Sequence, residues 1–392
     1  MSAEPDGQNR EPDLGPEGLV AVRRSWSRRR TLEVFGPLIA LALLVLVTTA
    51  FNPTFLLPEN ILNVVENQSF VGLIALGMTF VIISGGIDLS VGSLMAFAGG
   101  LGIWLMNTAI RAPEITAAAA QAQQAGMEVP YGAVRIALAG LFGWTGLGGS
   151  EVWGVLIAVS AVLLAGLAAG LLNGILIAKG RIAPFIATLG GLAAYRSLAL
   201  ALADGGEFRS ASAELFKKLG AGGLDIPYLT NRYGNAVVLR WPVLALIAAA
   251  VAAHIVLNRT RYGRYVYAIG CNERAARYSA IAVDRIKIIT YTLIGGLTGV
   301  AALLNSSRMN AVSSGQTGAM LELDAIAAVV IGGTRMTGGS GQVWGTVVGL
   351  LILGVIGNML NLLQVSPYLQ GLVKGVIIVA AVLVQRGSRT EQ

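Results

Sequence analysis

Apolar runs divide the chain at 34–51, 61–84, 89–106, 152–178, 182–203, 241–257, 286–304, 323–333, 343–363 and 368–384, with polar and charged residues collected between them. An α-helix of about 20 apolar residues crosses a hydrocarbon core ~30 Å thick, and most of these runs have that length. The pattern predicts an all-α, polytopic integral membrane protein of about ten transmembrane helices, some of them glycine-interrupted or re-entrant. The run 323–333 is too short to cross at about 1.5 Å per residue. It is either re-entrant or one half of a broken helix, since irregular backbone at that depth survives only where protein or a water-filled cavity covers it.

The turn that joins the second and third runs, Ser84 to Gly92, contains Gly85, Gly86 and Gly92 and one carboxylate, Asp88, with Ser90 close behind. A carboxylate there suits the N-terminus of the following helix, as a cap and as a partner for the helix dipole. An ionisable group near membrane depth also costs about 2.5 to 3.5 kcal/mol even on the lenient insertion scale, which fits a role in gating or solute contact equally well. Gly332, Gly333 and Thr334 open a second glycine-rich turn, 332–341, between two later apolar runs, with Asp324 just upstream. Paired glycine interruptions in the two halves of a transporter can mark its central pathway.

Composition agrees with the pattern. The 392 residues are 55% hydrophobic and 12% charged, against about 25% charged in soluble domains. A net charge of +7 does not signal nucleic acid, because the basic residues lie between apolar runs rather than on one soluble face. They report topology instead. With both termini cytoplasmic, 18 of the 28 Lys and Arg fall inside and 8 outside, as the positive-inside rule requires. Residues 1–30 mix acids with arginines and lack apolar periodicity, so they read as a disordered cytoplasmic tail. Residues 31–386 form the transmembrane domain. Its first run is a retained anchor rather than a signal peptide, because no small-residue cleavage site follows it.

Two outer loops, 107–151 and 204–240, are long for connectors between membrane spans. The first carries Pro113 ahead of a run of helix formers, a helix start, and the loops read either as solvated connectors or as a platform for an extracytoplasmic partner. The longest inner loop, 258–287, carries seven positive and two negative charges. Within it a glycine precedes a short amphipathic helix whose Glu273 and Arg277, four residues apart, share a face.

Catalytic and nucleotide-binding patterns are missing. The sequence has no Gly-x-x-x-x-Gly-Lys-Ser/Thr run, no His-Glu-x-x-His and a single cysteine, Cys271, so it offers neither an ATP site of its own nor a Cys/His metal site. The only histidine, His254, lies in an apolar run and reads as a packing residue. Polar groups within or beside spans remain: Asn67, Gln68, Asn173, Arg196, Asn305, Asn358, Asn361 and Lys374. All but Lys374 are pathway candidates for a hydroxyl-rich solute, since amides both donate and accept. Amides also join helices to one another, and both readings stand.

Three stretches resemble the permease subunits of bacterial ribose/xylose-type ABC sugar importers: GMTFVIISGGIDLSVGS at 77–93, YAIGCNERAARYSAIAV at 267–283 and LELDAIAAVVIGGT at 321–334. The resemblance extends from about residue 60 to 385. It implies a multi-pass permease of the bacterial plasma membrane, without enzymatic activity, that imports a monosaccharide such as xylose or ribose. A second permease copy, a cytoplasmic ATPase that holds ATP and Mg, and an extracytoplasmic sugar-binding protein are the implied partners. It also implies that Gly270, Asn272, Glu273, Arg274, Ala276 and Arg277 couple to the ATPase. The sequence departs from the family pattern at Cys271 and Ala280, where relatives usually have glycine, so the loop is less free to adopt left-handed backbone. The loop from Asn107 is longer than in ribose-type members and closer to xylose-type ones. An ion-coupled secondary sugar transporter is the alternative, with Asp88, Asp324 or His254 as its titratable group.

Overall fold

The computed structural model describes residues 36–212, 214–230 and 236–366, and isolated positions from 369 to 379. The tail 1–30, Lys374 and most of the run 368–384 lie outside the described residues. Within them seven helices are long and apolar enough to cross a membrane: α2 (Pro58–Ile83), α3 (Val91–Ile110), α6 (Glu151–Ala178), α7 (Pro184–Leu202), α9 (Trp241–Arg259), α12 (Val283–Met309) and α14 (Val343–Leu362). The first apolar run supplies a shorter helix, α1 (Gly36–Phe51).

Helix α2 is the axis of the molecule. It packs against α9, α12 and α14, and every residue from Ser69 to Ile83 is buried. From Phe70 onward it is apolar around its whole circumference apart from Thr79, as a helix segment enclosed on all sides should be. Helices α6 and α7, by contrast, leave leucines exposed along their lengths, among them Leu164, Leu171, Leu189 and Leu198. In a membrane protein such an apolar outer surface suits lipid or another membrane helix.

The tightest helix pair is α6 with α12. Gly166, Gly170 and Gly174 repeat every four residues on α6, and a Cβ on any of them would strike the α12 backbone between Ile288 and Gly299. Small residues at that spacing let two backbones approach, which is how membrane helices gain dispersion contacts that lipid cannot supply.

The outer loops are folded rather than irregular. Residues 107–151 contain α4 (Ala112–Gln124), begun by Pro113 as expected, and α5 (Ala133–Trp144), which the hydrophobic pattern does not announce. Residues 204–240 contain β1 (Glu207–Arg209), α8 (Leu215–Ala221), β2 (Gly223–Thr230) and β3 (Ala236–Arg240). Strands β2 and β3 pair antiparallel with Leu224 opposite Leu239. Strand β1 pairs with β4 (Ala311–Ser313), Phe208 opposite Val312.

From β4 the chain turns back into the protein without helix. Arg196 of α7 donates to the carbonyls of Ser314 and Thr317 at 2.8 and 3.0 Å, and Gly318 lies against the Gly92 carbonyl at the start of α3. Helix α13 (Leu321–Ile331) begins there and runs towards the inner end of α14, where Gly332 meets Gly345. The short run is therefore a helix of 11 residues preceded by a chain of hydrogen-bonded turns, residues 314–320, two of whose carbonyls accept from Arg196.

Candidate functional site: the junction of the two glycine turns

The inner loop folds into two helices, α10 (Arg261–Cys271) and α11 (Glu273–Tyr278). Sequence reasoning expected only the second, although α10 also carries a helical signal: Tyr262, Val266 and Ile269 recur at i, i+4 and i+7, opposite Arg261 and Arg264. Val266 and Ile269 are buried. Tyr262 stacks on Phe80 of α2 with ring centres 6.1 Å apart, and its hydroxyl shares a hydrogen bond of 2.8 Å with Thr290 of α12. The Thr260 side chain accepts from the Gly263 N–H to start α10, and Asn272 caps α11 by accepting from Ala275 N–H at 3.0 Å.

Helix α10 ends against both glycine turns. The turn after α2 and the turn after α13 touch, since the Gly339 N–H donates to the Ile83 carbonyl at 2.9 Å and Gly338 lies against Gly85. Gly270 sits between them, with so little space that a Cβ would coincide with the Ile83 carbonyl oxygen and press on the Gly339 amide. Tyr267 donates to the Gly341 carbonyl at 2.7 Å, and the Cys271 thiol to the Gly339 carbonyl at 3.6 Å. Gly85, Gly333, Gly338 and Gly339 all have positive φ, a conformation that glycine adopts without steric penalty. Thr334 is buried against Gly341. The junction is thus built mainly of backbone approaching backbone.

Helix α11 is tied to α12 by charge. Lys287 donates to Glu273 at 2.8 Å, and Arg277 donates to Glu273 at 3.1 Å and to Asp284 at 2.7 Å. Burial raises the Glu273 pKa, but the hydrogen bonds from Lys287 and Arg277 outweigh it and hold the carboxyl below its ordinary value. Ala276 packs inward, whereas Arg274 and Tyr278 are exposed. Ala280, one of the two positions where glycine was the expected residue, takes the left-handed conformation anyway, at φ +59°.

Asp88 is fully enclosed. Its Oδ1 accepts from the Ser90 N–H at 2.9 Å and the Ser90 hydroxyl at 2.7 Å, while Asn173 of α6 donates to that hydroxyl at 3.0 Å. The N-cap position of α3 belongs to Ser90, not Asp88. The carboxylate instead closes an Asx-type turn two residues earlier. Tyr291 of α12 donates to the Ile87 carbonyl at 3.2 Å, so side chains of α6 and α12 both hold this extended segment.

A family model for the permease component of branched-chain amino acid transport systems matches residues 60–382. The ribose import permease protein RbsC of Bacillus subtilis is 37% identical over 91% of this chain and 93% of its own length. The chain belongs to this permease family. It is a multi-pass membrane transporter subunit, not an enzyme. The permease is also 33% identical to the L-arabinose transport system permease protein AraH of Escherichia coli, over 95% of this chain and 96% of that one. With the xylose transport system permease protein XylH of Haemophilus influenzae it shares 30%, over 91% and 97% respectively. No solved structure matches it.

The polar residues singled out from the sequence do not converge in the permease. Asn173 joins the Asp88 turn and Arg196 the unwound segment, whereas Asn358 exchanges a reciprocal amide pair with Asn60 at 2.9 and 3.1 Å at the outer end of α2. Asn361 accepts from Gln370, and Gln68 packs beside Gly354 of α14. Asn305 is half-buried on α12, Asp324 half-buried on the first turn of α13. His254 is exposed on α9 and pairs with Asn258 at 3.1 Å, so the packing role read from its apolar surroundings does not hold. Asn67 accepts from Arg308 at 2.9 Å and leads to a residue that sequence reasoning missed. Glu66, buried in α2, forms ion pairs with Arg240 at 3.1 Å and Arg308 at 2.7 Å. Its signal was available, since Glu66 is the only charged residue in the run 61–84.

Proposed function

We propose that the permease imports a five-carbon sugar, and that the α10–α11 junction is where a separate cytoplasmic ATPase drives it. The observation that carries the first part is the identity to permeases named for ribose, arabinose and xylose across nine-tenths of the chain, sugars that share a pentose skeleton. Membership in the family implies the ATPase and an extracytoplasmic substrate-binding protein. ATP and Mg reside on the ATPase, in keeping with the absence of a P-loop in this sequence. Two permease copies enclose the pathway.

The coupling role of Gly270, Asn272, Glu273, Arg274, Ala276 and Arg277 is supported by the contact of α10 with both glycine turns. A partner that pushes on α11 moves α10, and α10 has no slack against Ile83 or Gly339. Gly85, Gly86, Asp88, Ser90 and Gly92 on one side, and Asp324, Gly332, Gly333 and Thr334 on the other, would receive that movement. Glu273 and Arg277 are occupied with α12, which leaves Arg274 as the exposed α11 charge that meets the ATPase.

The experiment is uptake by proteoliposomes containing the permease, its ATPase and its binding protein. Labelled ribose, xylose or arabinose should accumulate only with ATP on the ATPase side and with binding protein present. Accumulation by the permease alone on a proton or sodium gradient would replace this reading with the ion-coupled one.

A further inference from the structure

Helices α4 and α5 form one hairpin on the outer side, yet they show opposite chemistry to their surroundings. The exposed face of α4 presents Glu114, Gln121, Gln123 and Gln124. On α5, Val134, Ala137, Leu141 and Trp144 lie at i, i+3, i+7 and i+10, an apolar stripe, and are all exposed, Val134 by 69% and Trp144 by 86%. The one charge of α5, Arg135, is turned aside over the Tyr131 ring, 5.4 Å from its centre. We infer that α5 lies in the outer leaflet of the bilayer, with its apolar stripe in the acyl region and Trp144 near the headgroups, while α4 covers it from the water side.

Depth and continuity favour lipid as the occupant. Helix α5 packs on α3, and the turn that follows it is pinned to the outer end of α3 by the Gly149 N–H, which donates to the Ala109 carbonyl at 3.0 Å. That level is where the membrane boundary must fall, because α6 begins two residues later with Val152, Trp153 and Leu156 exposed on its lipid-facing side. The stripe of α5 is thus continuous in chain and in chemistry with a surface the bilayer already covers. At 12 residues α5 spans about 18 Å and cannot cross the membrane. A helix with one apolar face, tryptophan at its end and a polar cover fits an interfacial position.

The test is spin-label accessibility in lipid nanodiscs, using the full-length chain with Cys271→Ser. Labels at Leu141→Cys and Val134→Cys on α5 are compared with Leu156→Cys on the exposed flank of α6 at the same level and Gln123→Cys on α4. Membrane-dissolved oxygen should relax both α5 labels about as strongly as the Leu156 label, with the aqueous nickel chelate excluded from them and reaching only Gln123. Nickel access to either α5 label equal to that at Gln123 would overturn the inference. So would protection from both reagents, which would mean that a second permease copy or another part of the chain covers the stripe.

Discussion

Helix α2 is held at its two ends by opposite means. At the outer end the buried Glu66 carboxylate gathers Arg240 and Arg308, and the Arg308 guanidinium also lies over the Phe70 ring at 5.6 Å. At the inner end Ile83 meets Gly270 and Gly339 with no charge involved, only backbone in contact with backbone. Charged side chains on flexible stems tolerate small displacements, because an ion pair weakens gradually with distance. Close-packed backbone does not, since overlap rises steeply once atoms touch. The outer end therefore behaves as a fastening and the inner end as a stiff link, which is the property required of a part that transmits movement.

Substitutions that add volume at the inner end should have the largest effect. Gly270→Ala places a methyl on the Ile83 carbonyl, and overpacking costs about 1 to 3 kcal/mol and occasionally more, here towards the upper end because the atoms struck are backbone. The melting temperature of the purified complex should fall by more than in any other variant described below. At the outer end Glu66→Gln removes the carboxylate and leaves two guanidinium groups facing each other. Their side chains are 39% and 25% exposed, so water solvates them in part and the loss should be about 2 kcal/mol, below the about 3–5 kcal/mol of fully buried pairs. A larger loss for Glu66→Gln than for Gly270→Ala would invert the comparison.

Two smaller effects sharpen it. Ala280 holds a left-handed conformation that costs a non-glycine residue about 1 to 2 kcal/mol, while glycine loses about 0.5 to 1 kcal/mol in unfolded-chain entropy. Ala280→Gly should therefore stabilise by about 0.5 to 1 kcal/mol, seen as a small rise in melting temperature. Glu273 has its pKa lowered by Lys287 and Arg277, so its contribution is complete above the ordinary carboxylate pKa and is lost as pH falls through the lowered one. Exposed pairs of this kind contribute about 1 kcal/mol at most. The protection factors of the α11 amides, which divide out the intrinsic slowing of exchange in acid, should fall on acidification through that range in the native permease and show a weaker dependence in Glu273→Gln.

The membrane helices were legible to within a few residues because lipid leaves the backbone no alternative to internal hydrogen bonding. Helix α6 runs 151–178 where the apolar run predicted 152–178, and α14 runs 343–362 where it predicted 343–363. The sequence also held a glycine followed by a short amphipathic helix within 268–281, which the structure bounds at 273–278, and the weakness of 323–333 as a crossing. Helices α5 and α10 were passed over, one because an apolar stretch of 12 residues is ambiguous and the other because its charges masked the stripe of Tyr262, Val266 and Ile269. The meeting of the two glycine turns was visible only as a likeness between them. Contact between Gly85 and Gly338 depends on how α2, α13 and α14 pack, and no local periodicity encodes it. The same holds for the four-residue glycine repeat of α6, whose spacing could be read but whose partner on α12 could not.

The most direct test of the stiff link is ATP hydrolysis by the reconstituted permease, ATPase and binding-protein complex, measured with and without sugar-loaded binding protein for Gly270→Ala and Glu66→Gln at a temperature where both remain assembled. Glu66→Gln should keep the fold-stimulation of the native complex, whereas Gly270→Ala should hydrolyse ATP at a rate that loaded binding protein no longer changes. Full stimulation in assembled Gly270→Ala complexes would contradict the account, because the α10 contact with the glycine turns would then transmit nothing.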